Sequence, residues 1–285
     1  MQGSTNPQAE QMASEAMVRT LALQAEAIWP QERERVLAYG LPEDARVLDV
    51  GCGTGEFTRR VARHLPGASV MGIDVVPAHL DRGRAAAAAD GLSDRVEFEI
   101  GDAYSLVQAD GEFDLVACRC VLQALPAADR VVAELVRVLR PGGVVHLLAE
   151  DYGMIQFHPT RLDSDRFWRL GPMKYAERTG CDLRSGRKMF ASLRGHGLCD
   201  VRVDYVVVDT VRVPRQVFAG IWRAWRDGYS EPISRHGDLT AKEVSEHWED
   251  MIACIEDENS YAVWQVPVVS GRKPAGDVGS AGVIA

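Results

Sequence analysis

The sequence predicts an α/β fold in which a mostly parallel sheet is covered by helices on both faces. One observation is a short apolar strand, residues 47–50, followed by the glycine-rich run 51–55 and by a helix that starts at Glu56. A strand, a glycine turn and a helix N-terminus in this order form a nucleotide-binding corner of an open sheet. A second observation is that two later strand-like segments also end in an acid, at Asp74 and Asp102.

The spacing of the glycines distinguishes between two kinds of nucleotide loop. The NAD-type fingerprint is G-x-G-x-x-G, which requires a glycine at position 56, where this chain has Glu56. The pattern between Asp49 and Gly55 is instead D-x-G-x-G-x-G. The loop therefore predicts a ligand other than NAD.

The other elements follow in an order that suits a parallel sheet with a helical addition. Ahead of the first strand, apolar residues at helical intervals over 14–39 predict two short helices separated by Pro30, with Trp29 and Tyr39 in the core or near a ligand opening. The predicted strands are 70–74, 96–103, 113–118, 144–150, 201–208 and 261–269, and the predicted helices are 57–64, 78–90, 127–139, 189–195 and a long insert over 215–257 broken near Pro232 and Gly237.

In its glycine loop, its strand-end acids and its order of elements, the stretch 45–151 resembles class I S-adenosylmethionine-dependent methyltransferases of the small-molecule type. The resemblance implies a Rossmann-like, seven-stranded, mostly parallel sheet of order 3-2-1-4-5-7-6 with helical lid insertions. It also implies S-adenosyl-L-methionine as the methyl donor and S-adenosyl-L-homocysteine as the product. The expected division is an N-terminal tail and helical cap (1–40), a cofactor-binding core (41–151), lid insertions with the final antiparallel strands (152–271) and a flexible tail (272–285).

The same resemblance implies a role for each candidate cofactor-binding residue. Asp49 would reach the methionine ammonium, Asp74 would accept both ribose hydroxyls, and Asp102 would accept the adenine amino group. The backbone at Arg119 would line the methionine end, with its side chain as a partner for the cofactor carboxylate. The full expected set is Asp49, Gly51, Cys52, Gly53, Gly55, Asp74, Val75, Asp102, Ala103 and Arg119.

Candidates for a general base follow the fifth strand of the core. Tyr152 and His158 are the expected catalytic residues, and Glu150 and Asp151 precede them in the same segment. His158 is equally consistent with a surface loop, because Pro159 follows it. His146 lies inside the predicted strand and is interpreted as a core residue.

The two segments that would roof the substrate pocket, 152–180 and 215–250, are rich in Trp, Tyr and Phe. Their composition favours a small apolar or aromatic methyl acceptor, with Trp168 and Trp222 in the lid. Two alternatives remain open, because the fold alone does not fix the function. One is a protein of this fold that uses the same cofactor for a lyase or cyclase reaction, and the other is a regulatory binding protein.

Composition limits the partners and the compartment. The net charge is −9, from 41 acidic and 32 basic residues, which argues against nucleic acid bound through a broad basic surface. No apolar run reaches the roughly 18 residues of a membrane span, and residues 1–20 do not resemble a secretory signal. The six cysteines do not form a disulfide or zinc pattern, and Cys118 and Cys120 would pack on one strand face. We expect a cytoplasmic monomer or homodimer without a metal.

Overall fold

The computed structural model describes residues 12–275, which form a mixed sheet between two layers of helices. The strands are β1 (Arg46–Val50), β2 (Ser69–Asp74), β3 (Val96–Ile100), β4 (Phe113–Arg119), β5 (Leu139–Leu148), β6 (Ile155–His158), β7 (Cys199–Asp209) and β8 (Tyr261–Arg272). The helices of more than one turn are α1 (Glu15–Leu37), α2 (Glu56–His64), α3 (Pro77–Ala89), α4 (Ala128–Val138), α5 (Ser164–Leu170), α6 (Pro172–Thr179), α7 (Met189–Gly195), α8 (Arg215–His236) and α9 (Ala241–Glu256).

The sheet runs in the order β3-β2-β1-β4-β5-β8, with both β6 and β7 paired to β8. Strands β1 to β5 are parallel to their neighbours, and β8 is antiparallel to β5, β6 and β7. The predicted order 3-2-1-4-5-7-6 is confirmed if β7 and β8 are counted as the sixth and seventh strands. The eighth strand is the short β6, which is not among the strands that the sequence predicts.

The parallel strands are buried on both faces by helices, so their sequences are almost continuously apolar. Every residue of β4 except Arg119 is buried, and β1 is buried after Arg46. The carboxyl ends of β1, β2, β3, β4 and β5 meet at one edge of the sheet, which is where ligands bind in folds of this kind. The strand-end acids of the sequence therefore converge at this edge.

The N-terminal segment is one helix, α1, and not the two short helices that the sequence predicted. Pro30 lies inside α1, where it removes one hydrogen bond to the carbonyl of residue 26. Both Pro30 and Glu26 are exposed, so water can satisfy that carbonyl, while Ile28 and Trp29 beside them are buried. Packing of the buried face therefore keeps the helix continuous through the proline.

A similar difference appears in the helical addition near the C-terminus. The predicted break at Gly237 is confirmed, because α8 ends at His236 and α9 begins at Ala241. The predicted break at Pro232 is wrong, since α8 continues through this buried proline. Tertiary packing on both sides of the proline outweighs its low helix propensity.

Helix α1 also covers the free edge of β7. The Gln31 side chain donates to the Val207 carbonyl at 2.9 Å and accepts from the Val207 amide at 3.1 Å. Arg35 donates to the Tyr205 carbonyl at 3.1 Å. These side chains replace the hydrogen bonds that a further strand would make, which protects an edge that would otherwise pair with another chain.

Two expectations fall partly or wholly outside the described residues. The expected frayed N-terminus and most of the expected flexible tail, 272–285, lie in residues 1–11 and 276–285. Within the described part, β8 extends to Arg272, and the Lys273 ammonium donates to the Leu139 carbonyl at 2.7 Å. None of the helices in the described range is long and apolar enough to cross a membrane.

A buried ion pair joins α1 to the carboxyl edge of the sheet. Arg119, at the end of β4, donates from Nε and Nη2 to the two carboxylate oxygens of Glu32, at 2.6 and 2.7 Å. His146 of β5 lies 2.9 Å from the same carboxylate, and its other ring nitrogen is 2.7 Å from the Tyr39 hydroxyl. Burial alone would raise the pKa of Glu32. Its partners, chiefly Arg119, outweigh that effect and lower the pKa from 4.5 to about 2.

We expect Glu32→Gln to lower the free energy of unfolding at pH 7 by about 3–5 kcal/mol, because Arg119 would keep a buried charge without a counter-ion. A carboxyl with a lowered pKa stabilises the fold fully above its unfolded value and loses that effect as the pH falls toward its folded value. The deficit of the variant should therefore shrink below about pH 4.5 and continue to shrink toward pH 2.

Urea unfolding at pH 7, 5 and 4 measures this difference, with Glu34→Gln, an exposed position of α1, as the control. A deficit below about 1 kcal/mol at pH 7, or one of the same size at every pH, would contradict the assigned role of the ion pair.

Candidate functional site

A deep cavity opens at the carboxyl edge of the sheet. Its volume is about 1320 Å³ counted out to its opening. One side is formed by the glycine loop and the ends of β2, β3 and β4, and the other side is formed by α1, α5, α6, α8 and α9.

The glycine loop is fixed by the end of β2. The amides of Gly51 and Cys52 donate to the Ile73 carbonyl at 2.8 and 2.9 Å, and the Gly53 amide donates to Asp74 Oδ2 at 2.8 Å. Gly51 and Gly53 line the cavity with φ of +73° and +53°, where other residues would be strained.

Protein side chains, and not only a ligand, require glycine in this loop. A Cβ at Gly51 would lie 2.5 Å from a methyl carbon of Val121, and a Cβ at Gly53 would lie 2.8 Å from one of Leu21. Gly55 is not among the lining residues: it precedes α2, and its Cβ would collide with the Phe98 ring at 2.5 Å. The structure therefore places Gly55 in the packing between the loop and β3.

The acids at the ends of β2 and β3 both line the cavity, beside Val75 and Ala103. Asp74 accepts from the Gly53 amide and, at 2.9 Å, from the Val76 amide. Asp102 accepts from the Tyr104 amide at 2.9 Å. A carboxylate has about four lone-pair sites, so the two backbone bonds of Asp74 leave it acceptor capacity for a ligand.

A narrower chamber adjoins the main cavity behind the glycine loop. Its volume is about 400 Å³, and its lining includes Asp49, Cys52 and Arg119. Asp49 is only 1% exposed and accepts from the Thr58 hydroxyl at 2.7 Å. Burial raises the pKa of Asp49 to about 6, although Thr58 and Arg119 oppose the change. The chamber thus presents a carboxyl group and a guanidinium group to whatever enters it.

Arg119 lines this chamber, but its Nε and Nη2 groups already donate hydrogen bonds to Glu32. Its guanidinium is bound to Glu32 and lies 4.6 Å from the centre of the Phe57 ring. The expected pairing of this side chain with a ligand carboxylate therefore competes with a pre-existing carboxylate partner. Arg119 is also among the residues that line the main cavity.

Among the candidate bases, Tyr152 and Glu150 line the cavity. Glu150 is 1% exposed and accepts from the Gln24 side chain at 3.3 Å. Burial raises the pKa of Glu150 to about 7, and the Tyr152 hydroxyl, the Cys120 thiol and Gln24 oppose the change. Burial also raises the pKa of Tyr152 well above 10.

The structure does not bring the other two candidate bases to the cavity. His158 is exposed at the end of β6, where it pairs with Tyr261 of β8, and it is not among the lining residues. Asp151 is buried in a bidentate ion pair with Arg187, at 2.6 and 2.8 Å, and does not line the cavity. The surface-loop alternative for His158 is the one that agrees with this placement.

The two tryptophans expected in the lid differ in position. Trp168 of α5 lines the cavity, together with Trp225 of α8 and Trp248 of α9. Trp222 is completely buried and does not line the cavity: it packs against Phe157 and Phe218, and it lies behind the lining residue Trp225, with ring centres 4.8 Å apart. The expectation for Trp222 is therefore wrong, because its side chain belongs to the core between α8 and the sheet.

Sequence reasoning missed the contribution of α1 and of the residue after β4. One wall is formed by Met17, Thr20, Leu21 and Gln24 of α1. In the sequence, this wall could have been recognised from Thr20 and Gln24, two polar residues that lie four apart on the buried face of the helix. Cys120 also lines the cavity, because a left-handed φ of 55° ends the strand instead of continuing it as expected.

Within residues 12–275, the structure shows no cluster of three or more His, Cys, Asp or Glu side chains that could hold a metal ion. The six cysteines all lie in this range and are unpaired with one another.

The sequence of residues 47–143 matches the protein family described as Methyltransferase domain. The chain is 42% identical over 115 residues to the chloroplastic protein of Oryza sativa subsp. japonica named probable tocopherol O-methyltransferase, covering 38% of this chain and 32% of that protein. It is 37% identical over 131 residues to the demethylmenaquinone methyltransferase of Deinococcus radiodurans, covering 46% of this chain and 52% of the relative.

The solved structures include a phosphoethanolamine N-methyltransferase 2 from Haemonchus contortus, in complex with phosphomonomethylethanolamine and S-adenosylhomocysteine. Its TM-score is 0.60 at 16% identity, over 96% of this chain and 61% of that one, so the likeness is one of fold. The chain spans about a third to a half of the length of the two sequence relatives. The matched segment, residues 47–143, contains the glycine loop and both strand-end acids, so this part of the chain is similar to a methyltransferase domain.

Proposed function

We propose that the protein transfers a methyl group from S-adenosyl-L-methionine to a small, largely apolar or aromatic molecule. The observation that carries the proposal is the continuity of the cavity. The glycine loop and the strand-end acids form one half, and the aromatic side chains of α5, α8 and α9 form the other half, with no wall between them. A donor and an acceptor can therefore lie side by side in one enclosed space.

The residues of the first half fit this cofactor. Asp74 and Asp102 line this half, where the family resemblance implies that they accept from the hydroxyls and the amino group of an adenosine. The neighbouring chamber offers Asp49 to an ammonium, with Arg119 at its wall. When bound, S-adenosylmethionine supplies an activated methyl group on a sulfonium, and S-adenosylhomocysteine is the product.

The chain's own contribution to the reaction is enclosure and alignment. Holding two reactants in a near-attack geometry can lower the barrier by roughly 7–11 kcal/mol. The wall formed by α1, α5, α8 and α9 excludes water and confines the acceptor beside the donor half. A cavity enclosed by helices suits a free small molecule better than a residue on the surface of a protein.

The net charge and the unpaired cysteines bear on the partners and the location of the protein. The net charge of −9 supports a small-molecule acceptor over a nucleic acid. Six unpaired cysteines suit a reducing compartment such as the cytoplasm. We propose a monomer or homodimer without a membrane partner.

Incubation of the protein with methyl-labelled S-adenosylmethionine and a pool of metabolites tests the proposed activity. A labelled product must appear together with an equal amount of S-adenosylhomocysteine. Conversion of a metabolite without label transfer would instead support a lyase or cyclase reaction. Tight binding of the cofactor without any turnover would support a regulatory protein.

We expect Asp74→Ala to weaken the binding of S-adenosylhomocysteine by about 1–3 kcal/mol, because ligand hydroxyls would lose a buried acceptor. Calorimetry with the 2′-deoxy analogue sharpens the test. The analogue should bind the natural protein more weakly than the parent compound does, and it should lose little further affinity in the variant.

Asp94→Ala, an exposed position before β3, is the control, and thermal melting verifies that each variant is folded. Unchanged affinity in Asp74→Ala, or equal losses for the parent compound and the analogue, would refute the ribose assignment.

The two buried tryptophans provide a matched pair for the acceptor half. Trp168→Phe and Trp222→Phe should both lower the free energy of unfolding, by about 1–3 kcal/mol. Only Trp168→Phe should raise the KM of the acceptor found by the label screen, by about three- to tenfold, since it alone removes cavity-lining surface. Steady-state kinetics would contradict this placement if both variants, or only Trp222→Phe, raised the KM.

A further inference from the structure

One buried carboxyl group stands where the two halves of the cavity meet. Glu150 follows β5, and the Gln24 amide that donates to it also lines the narrow chamber beside the glycine loop. On the other side, Tyr152 packs against Trp168 and Trp225, with ring centres 5.1 and 5.5 Å apart. Glu150 therefore lies between the donor half and the aromatic half.

The carboxyl group is only partly satisfied by the protein. Its Oε1 accepts from Gln24, whereas Oε2 is buried and no donor in the range 12–275 reaches it with hydrogen-bond geometry. The Tyr152 hydroxyl and the Cys120 thiol lie close enough to lower the pKa of this carboxyl group, although burial outweighs their effect. A buried acceptor without a partner is costly, and in native proteins it commonly serves a ligand. The unpartnered oxygen therefore marks a place where a ligand donor can bind.

No positive charge is available to Glu150 from the described lining of the cavity. The basic side chains in this lining are Arg119 and His79. Arg119 is bound bidentately to Glu32, and His79 lies beside Asp74 in the donor half, with its Nε2 donating to the Met12 carbonyl at 2.9 Å. The groups that face Glu150 are uncharged or weakly acidic: Gln24, Cys120, Tyr152 and Tyr229.

We propose that Glu150 is the catalytic base that takes the proton of the methyl acceptor, and that the acceptor is a neutral or cationic O–H or N–H compound on an apolar frame, not an anion. The inference rests on the proposed function. The acceptor's lone pair forms the bond to the methyl carbon, and the carbon–sulfur bond breaks with its electrons left on sulfur. A hydroxyl or a neutral amine gives its proton to Glu150 as this bond forms. A cationic ammonium first gives one proton to Glu150, which exposes the lone pair that attacks. Glu150 later releases the proton to solvent.

The ionisation of Glu150 suits this role. Its pKa of about 7 matches the requirement that a general base be close to neutrality. A second carboxylate or a phosphate beside it would be buried against a like charge without a counter-ion, which is strongly unfavourable. An ammonium or a hydroxyl would instead find an acceptor and, around it, aromatic faces that attract cations.

The first experiment tests the raised pKa of Glu150 by thermal melting, in the absence of any acceptor. A carboxyl with a raised pKa destabilises the fold increasingly as the pH rises from its unfolded value toward its folded value. In the presence of saturating S-adenosylhomocysteine, Glu150→Gln should therefore melt at a higher temperature than the natural protein at pH 8 and at a similar temperature at pH 4.5. Glu97→Gln, at an exposed position of β3, is the control and should not change the melting temperature at either pH. A lower melting temperature for Glu150→Gln at pH 8 would overturn the proposal.

The second experiment uses three probes on one frame: 4-phenylphenol, 4-phenylbenzylamine and 4-phenylbenzoate. With saturating S-adenosylhomocysteine at pH 8, calorimetry should show the phenol and the amine binding at least tenfold more tightly than the carboxylate. Glu150→Gln should remove most of the amine's advantage and improve binding of the carboxylate. Equal or tighter binding of the carboxylate, an unchanged order in the variant, or no binding of any probe would overturn the proposal.

Binding of S-adenosylhomocysteine alone distinguishes a failure of the proposed function from a failure of the assignment of Glu150. If the protein does not bind it, the proposed function fails. If it binds and the probe order is reversed, only the assignment of Glu150 and of the acceptor's charge fails. With the acceptor from the label screen, kcat/KM should rise with pH through about 7 in the natural protein, and this rise should be absent from Glu150→Gln, with a loss of at least 100-fold at pH 8.

Discussion

The ion pair between Glu32 and Arg119 is the interaction on which the cavity depends. It fixes α1 across the carboxyl edge of the sheet, and that helix supplies a complete wall of the cavity. With α1 in this register, Leu21 rests against Gly53, and Val121 from the chain after β4 rests against Gly51. A side chain at either glycine would force these neighbours away, so the loop, the helix and the end of β4 are positioned together.

Three buried carboxyl groups at one sheet edge differ in pKa because a guanidinium binds only one of them directly. Glu32, Asp49 and Glu150 are all at most 1% exposed, yet the pKa of Glu32 is lowered whereas those of Asp49 and Glu150 are raised. Desolvation acts on each of them in the same direction, and the bidentate contact with Arg119 reverses the outcome only for Glu32. The single guanidinium thus stabilises the scaffold, and the two acids without such a partner remain near neutrality at the places where ligands would bind.

The donor half of the site could be predicted from the sequence because its determinants are local. The glycine loop follows directly after β1, and Asp74 and Asp102 are the terminal acids of consecutive parallel units, so the topology alone brings them to one edge. Gly55 shows the limit of the argument. Its positive φ was required by the motif, but whether it contacts a ligand or Phe98 depends on how α2 and β3 pack.

The acceptor half could not be predicted in the same way because its determinants are tertiary. On α8, Trp225, Tyr229 and Ile233 repeat every four residues and line the cavity, whereas Trp222, one turn earlier, packs against Phe157 and Phe218. Helical periodicity identifies this apolar stripe, but it cannot show where along the stripe the core ends and the cavity begins. That boundary is set by where α8 passes the edge of the sheet.

Glu150 was harder to assign than the other acids because its surroundings also depend on tertiary packing. In the sequence it is one of several polar residues after β5, indistinguishable in kind from Asp151 beside it. The structure gives Asp151 an arginine and gives Glu150 only an amide and weakly acidic neighbours. Because successive residues in extended chain point to opposite sides, one acid faces Arg187 and the other faces the cavity. The chemical difference between these adjacent carboxyl groups therefore arises from the side of the chain on which each side chain lies.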